Sequence, residues 1–220
     1  MKIALTILLL PFASPAASLT GAIVDSLGAS IAHAGVELDS GTKKYQARTD
    51  DAGVYKFSSL SAGQYTLTFT PEAYVTLTVK SIGLSEGEAK QIPEITISLY
   101  RCPPPPHREF VQMVPSLSFG ELSGSVLPSA AGIDVVLTCR TFHPCGSTKT
   151  DSNGHFSFDM LSAGAYGLSF HRDGFFDQDA TAYEYYVNAG VESVYAPLRL
   201  EECPNGNCAA KIQRILPSCE

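Results

Sequence analysis

Tryptophan is absent from this chain of 220 residues, methionine occurs three times, and only 15 lysines and arginines stand against 22 acids, a formal charge of −7. No basic cluster offsets the acids. A phosphate backbone or an anionic bilayer needs a concentrated positive field, so nucleic acid and anionic membrane surfaces are excluded as natural partners. Beyond residue 10 no apolar run approaches the ~20 residues that span a bilayer as a helix. Helical periodicity is nearly missing too, surfacing weakly over residues 209–216, where one or two turns are expected.

What is present begins with Met1 and Lys2, an uncharged apolar stretch over residues 3–10, then Pro11, Ser14, Pro15 and the small residues Ala16, Ala17 and Ser18. That order is a secretory leader, assigned to residues 1–18. No cysteine follows its cleavage region, so a bacterial lipid anchor is not indicated, and the mature protein is expected to be secreted or periplasmic. Six cysteines fit an oxidising compartment better than a cytosolic metal site. All lie in or just before the second half: Cys102, Cys139, Cys145, Cys203, Cys208 and Cys219.

The chain repeats itself. TDDAGVYKFSSLSAGQYTLTF at residues 49–69 returns 101 residues later as TDSNGHFSFDMLSAGAYGLSF, with Asp50 matching Asp151, Gly53 Gly154, Tyr55 Phe156 and Phe57 Phe158. LTG at Leu19 matches LSG at Leu122. Within each copy the apolar residues alternate with polar ones, the period of a strand with one buried face. These short segments, rich in Val, Ile, Thr, Tyr and Phe and broken by Gly, Ser, Asp and Pro, predict an all-β chain. The expected layout is a β-sandwich module over 19–101, a Pro-rich connector over 102–107, a second module over 108–202 and a cysteine-bearing tail over 203–220. The connector's four consecutive prolines read as a stiff polyproline spacer.

Asp151-Ser152-Asn153-Gly154 could open a calcium loop, but the twelfth residue is Ser162 where a bidentate Glu is required, and Ala52 replaces Asn153 in the first copy. A hairpin tip suits both copies: Asp caps the turn, Gly supplies positive φ, and a strand follows at once.

The string T-D-x-x-G-x-[YF]-x-F-x-x-L-S-A-G-x-Y-x-L-x-F resembles the carboxypeptidase regulatory-like domain, a prealbumin-like and Cna-B-like β-sandwich family, in two tandem copies. The resemblance implies seven-stranded Ig-like sandwiches that serve as secreted spacers, adhesion modules or accessory folding units, some assigned to carbohydrate binding on fold analogy. It implies no cofactor. The zinc carboxypeptidases that carry this domain need a His-x-x-Glu pair, and none of His33, His107, His143, His155 and His171 has Glu three places on. Some Cna-B-like domains carry an isopeptide staple from a lysine in the first strand, yet LTGAIVD and LSGSVLP contain no lysine. Gly83-Leu84-Ser85-Glu86-Gly87 fits G-x-S-x-G, but a nucleophile elbow needs a helix after it, and here two strands are joined.

The candidate recognition site is aromatic: Phe175, Phe176, Tyr183, Tyr185 and Tyr186 crowd one loop and strand where module one has only Tyr74. Tyrosines suit sugar rings and protein interfaces, whereas Tyr183 and Tyr185 on one strand face would instead fill the sandwich. The expected function is therefore a non-catalytic binding or scaffold protein of the cell envelope, its partner a glycan or another extracellular protein. A purely structural spacer is the alternative, with an enzyme whose site lies between the modules a third. For the cysteines, Cys139 and Cys145 flank a hairpin loop within disulfide reach, and Cys203 and Cys208 bracket turn residues. Elimination then joins Cys102 to Cys219, with Cys102 to Cys139 as the competing arrangement.

Overall fold

Strands occupy the alternating segments of both halves, and the computed structural model contains no helix among the residues it describes, 15–74, 76–98, 108–139, 143–179, 185–203, 208 and 213–214. The first module consists of β1 (Ala17–Val24), β2 (Gly35–Asp39), β3 (Lys44–Arg48), β4 (Val54–Leu60), β5 (Gly63–Thr70), β6 (Leu77–Leu84), β7 (Ala89–Gln91) and β8 (Ile95–Thr96). Next comes β9 (Arg108–Met113), then β10 (Gly120–Leu127), β11 (Asp134–Thr138), β12 (Pro144–Lys149), β13 (His155–Leu161) and β14 (Gly164–His171). The chain continues through β15 (Gln178–Asp179), β16 (Tyr185–Val187), β17 (Val191–Tyr195), β18 (Leu198–Arg199) and β19 (Gln213–Arg214).

In module one β4, β1 and β7 form one layer and β3, β2, β5 and β6 the other. Their inward residues, among them Leu19, Tyr55 and Phe57 from the first layer and Leu38, Leu67 and Phe69 from the second, make one buried core. Module two repeats the pairings. Leu19 sits opposite Phe57 and Gly21 opposite Tyr55, as Leu122 sits opposite Phe158 and Gly124 opposite Phe156. The first strand of each module also runs parallel to its later partner, β1 to β7 and β10 to β17.

Even the irregularities recur. Phe57 and Leu60 are both buried although three residues apart, which period two forbids unless one extra residue is inserted. Ser59 is that residue, at φ 58°, and Met160 at φ 54° does the same in β13. The hairpin glycines are required twice over: Gly53 has φ 74°, and a Cβ there would lie 2.5 Å from the Ile23 carbonyl oxygen. At Gly154, with φ 78°, the Val126 carbonyl oxygen would be 2.9 Å away.

Two expectations need correction. The leader assigned to 1–18 overlaps β1, which starts at Ala17, a residue in the core and paired with Leu60. Helical turns expected over 209–216 give way at Gln213 and Arg214 to a strand parallel to β15; the other residues of that span lie outside the described ones. The two modules also share a sheet. β9 pairs antiparallel with β17 and parallel with β6, which fuses one layer of each module into a single nine-stranded sheet. Val111 and Val191 accordingly lie within the core of module one. The boundary drawn at residue 108 separates strands that share hydrogen bonds. The connector at 102–107 lies outside the described residues.

Candidate functional site

The junction holds a buried polar network. Pairing on both edges of β9 buries Arg108 at the strand's start, where it is 7% exposed. A buried guanidinium must find acceptors for all five N–H groups, and this one does. Nε and Nη2 reach the Tyr195 hydroxyl at 3.4 and 3.3 Å, and Nη2 also donates to the Tyr186 carbonyl oxygen at 2.5 Å. Nη1 donates to the Thr96 carbonyl oxygen at 3.1 Å and to Asn188 Oδ1 at 3.4 Å. Asn188 in turn donates to Thr96 Oγ1 at 3.0 Å, and the Tyr195 hydroxyl to the Tyr186 carbonyl oxygen at 3.1 Å. Thr96 belongs to module one and the other partners to module two, so this network clamps the sandwiches together. It offers a substrate nothing, since its donors are spent inside the protein.

The aromatic candidates among the described residues differ in burial. Tyr185 is 6% exposed and stacks edge-on against Tyr195 with ring centroids 4.9 Å apart, which withdraws it from any ligand. Its neighbours alternate: in β16, Tyr185 and Val187 point inward and Tyr186 is half-buried. Phe175 packs on the module-two core under the Arg172 guanidinium, 5.0 Å from the ring centroid. Phe176 is half-buried, its N–H donating to the Glu201 carbonyl oxygen at 3.0 Å. Tyr183 lies outside the described residues.

Two shallow grooves do open on the outer face of the fused sheet. One, of about 540 Å³, includes Glu37, Gln46, Arg48, Thr68 and Thr70. The other, of about 440 Å³, includes Phe110, Gln112, Ser125, Ser157 and Glu192. Period two predicts that these side chains face away from the core, but which strands would lie side by side across the modules depends on β9, which has no counterpart in the repeat.

The turn chemistry is spent locally as well. Asp151 Oδ1 accepts the N–H groups of Asn153 and His155 at 2.8 and 2.9 Å, and those bonds, His155's foremost, hold its carboxyl below the usual range. Asp50 makes the same two bonds to Ala52 and Val54 at 3.0 and 2.9 Å. In the G-x-S-x-G segment Ser85 turns the chain between β6 and β7, its N–H donating to Glu88 Oε2 at 2.7 Å. His33, His155 and His171 each approach one aspartate, Asp51 at 3.3 Å, Asp151 at 3.9 Å and Asp177 at 2.5 Å. His143 is exposed and His107 lies outside the described residues. Among the described residues no three His, Cys, Asp or Glu side chains converge as a metal site would require. Of the cysteines, Cys139 is bonded to Cys145 with Cα atoms 5.8 Å apart, and Cys203 to Cys208 at 5.1 Å. Cys102 and Cys219 lie outside the described residues.

β-Sandwiches stapled by disulfides, with capped turns and a hydrogen-bonded junction, define a class of modular architecture whose fold does not by itself specify a function. Residues 18–98 match the carboxypeptidase regulatory-like domain, and the first module belongs to that family. Over 159 residues the chain is 31% identical to serine-aspartate repeat-containing protein C of Staphylococcus aureus, a match covering 67% of this chain and 16% of that protein. The chain thus spans about a sixth of the length of the curated relatives it matches. Among solved structures it is similar to the major pilin subunit of Bacillus cereus, with 11% identity, 87% of this chain and 100% of that one covered, and a TM-score of 0.33. It is also similar to a streptococcal ancillary pilin, with 12% identity, coverage of 86% and 63%, and a TM-score of 0.31.

Proposed function

We propose that the chain is an exported, non-catalytic scaffold of the cell envelope, built from two copies of the carboxypeptidase regulatory-like domain locked into one rigid body. The observation that carries this reading is the fused sheet with Arg108 buried at its seam, because a tandem of that kind fixes the distance and angle between its two ends. Equal registers in β1–β4 and β10–β13 support the second copy. The likeness to a serine-aspartate repeat-containing protein supports a repeat-built architecture. Of the aromatic rings that would favour glycan capture, Tyr185 is buried and Phe175 packs on the module-two core. Among the described residues Phe119 is the one aromatic among the exposed large apolar side chains. That balance favours a positioning role over binding by stacked rings, and leaves a glycan or an extracellular protein to the polar grooves of the outer face.

Cell fractionation, glycan-array screening and small-angle scattering of the exported protein test the reading together. The expected result is recovery outside the cytoplasm and a scattering profile that fits one rigid shape. A profile requiring many inter-module angles, or retention in the cytoplasm, would sink the scaffold; a tight glycan ligand would move the assignment from positioning to capture.

A further inference from the structure

The junction inside the chain is made by two sheet edges and the strand between them. β9, the segment that follows module one, lies parallel to β6, pairing Val79 with Val111, and antiparallel to β17, pairing Val194 with Phe110. Both of those edges exist a second time. β7 is the counterpart of β17, for Leu19 pairs with Lys90 as Leu122 pairs with Ser193. It ends its sheet, with no strand on its far side among the described residues. β15 is the counterpart of the start of β6, since Gln178 faces Phe170 as Leu77 faces Phe69. It too is lined in parallel by the segment that follows its module: β19 pairs Gln178 with Gln213 and Asp179 with Arg214. The far side of β19 carries no strand among the described residues.

Each molecule therefore carries both halves of a junction it has already built once within itself. We propose that the chain associates head to tail with a second copy, β19 of one molecule pairing antiparallel with β7 of the next as β9 pairs with β17. The two surfaces differ, so the contact is heterologous and generates an open string, not a closed dimer. An unpaired strand edge presents a row of N–H and C=O groups that another strand satisfies, which is what drives the contact. The register follows from the internal junction. Asp179 corresponds to Thr78, one residue before the Val79 that faces Val111, so its partner Arg214 stands level with Phe110. Phe110 faces Val194, whose counterpart in β7 is Gln91. Arg214 should therefore face Gln91 of the neighbouring copy, an exposed position three residues from the acidic Glu86–Glu88 turn. This inference goes beyond the scaffold reading and does not depend on it, since a rigid monomer would still be a scaffold.

Two measurements on the full exported chain decide it. Sedimentation velocity over a range of concentrations should show a ladder of elongated species, and Arg214→Pro, which removes the strand's donor, should weaken association at least about tenfold while leaving the thermal midpoint unchanged. Mixing Gln91→Cys with Arg214→Cys under mild oxidation should give a disulfide-linked dimer from which a peptide joining positions 91 and 214 is recovered. Replacing the first partner by Ser40→Cys, on the hairpin between β2 and β3, should not. A single monomeric species at every concentration overturns the proposal. So does association that Arg214→Pro leaves intact, or a mixed-variant dimer no more abundant than with the Ser40→Cys control.

Discussion

Tyr55 and Phe156 occupy matching places in the two modules, and the difference between them is one hydroxyl. Tyr55 is among the largest fully buried side chains, and its hydroxyl has no hydrogen-bond partner among the described residues. Burial pushes its ionisation far up, so it stays a neutral phenol. Gly21 makes room for it, since a Cβ there would lie 2.3 Å from the oxygen. An orphaned buried hydroxyl costs more than it returns, and Tyr55→Phe should stabilise by about 1 kcal/mol, or about 2–4 °C in midpoint for a chain of this size. Thermal unfolding of the two proteins checks this, and a lower midpoint for the variant would show a hidden partner. His171 makes a different residue-scale prediction. Its bond to Asp177, reinforced by that carboxylate's charge, raises the imidazole's pKa. A raised folded value stabilises below the unfolded pKa, and that contribution fades as pH rises through the folded one. Both side chains are more than half exposed, so the energy is small, but the titration itself is readable. By NMR the ring should titrate above about 6.5 and return toward it in Asp177→Asn. Equal midpoints in the two proteins would remove the pair.

Among the elements, β9 stands apart because its place is set by partners distant in sequence. Arg108→Ala would leave the carbonyls of Thr96 and Tyr186 and the Asn188 amide without their cation, and should cost about 3 kcal/mol. Calorimetry should then split one unfolding transition into two, and Arg108→Lys should not restore it, because an ammonium with three protons cannot serve four acceptors. A single unchanged transition would mean that the sheet alone couples the modules. The same element shows where sequence legibility ended. The strands β4 and β5, like β13 and β14, were readable because alternation and turn residues are local and because their signals occur twice at a spacing of 101 residues, with LTG and LSG marking β1 and β10. β9 follows a proline run and lies outside the matched stretches of the repeat, so nothing local named β6 as its neighbour. For the aromatic candidates, period two established that Tyr185 and Tyr186 point opposite ways. Which of them turns inward depends on pairing with Ala165 and Tyr166, residues that the alternation alone does not select.

At the scale of the whole molecule, the start of the mature chain matters because β1 is the central strand of its layer. Cleavage after Ser18 would discard Ala17 from the core, along with the Ser18 N–H that donates to the Glu88 carbonyl oxygen at 2.8 Å. Processing between Ala16 and Ala17 keeps both and still leaves Ser14 and Ala16 as the small residues a leader peptidase reads. Intact-mass measurement of the exported protein should place its first residue at or before Ala17; a start at Leu19 would overturn this. The fused sheet has one more consequence, which concerns length. From β3 to β13 the molecule is eight strands across, and at the ~4.8 Å spacing of neighbouring strands its two outer edges stand at most roughly 34 Å apart. That span is counted in strands, not in linker residues. Additional prolines between 103 and 106 would lengthen the covalent path without moving either edge, so the molecule works as a ruler whose graduations are hydrogen-bonded strands.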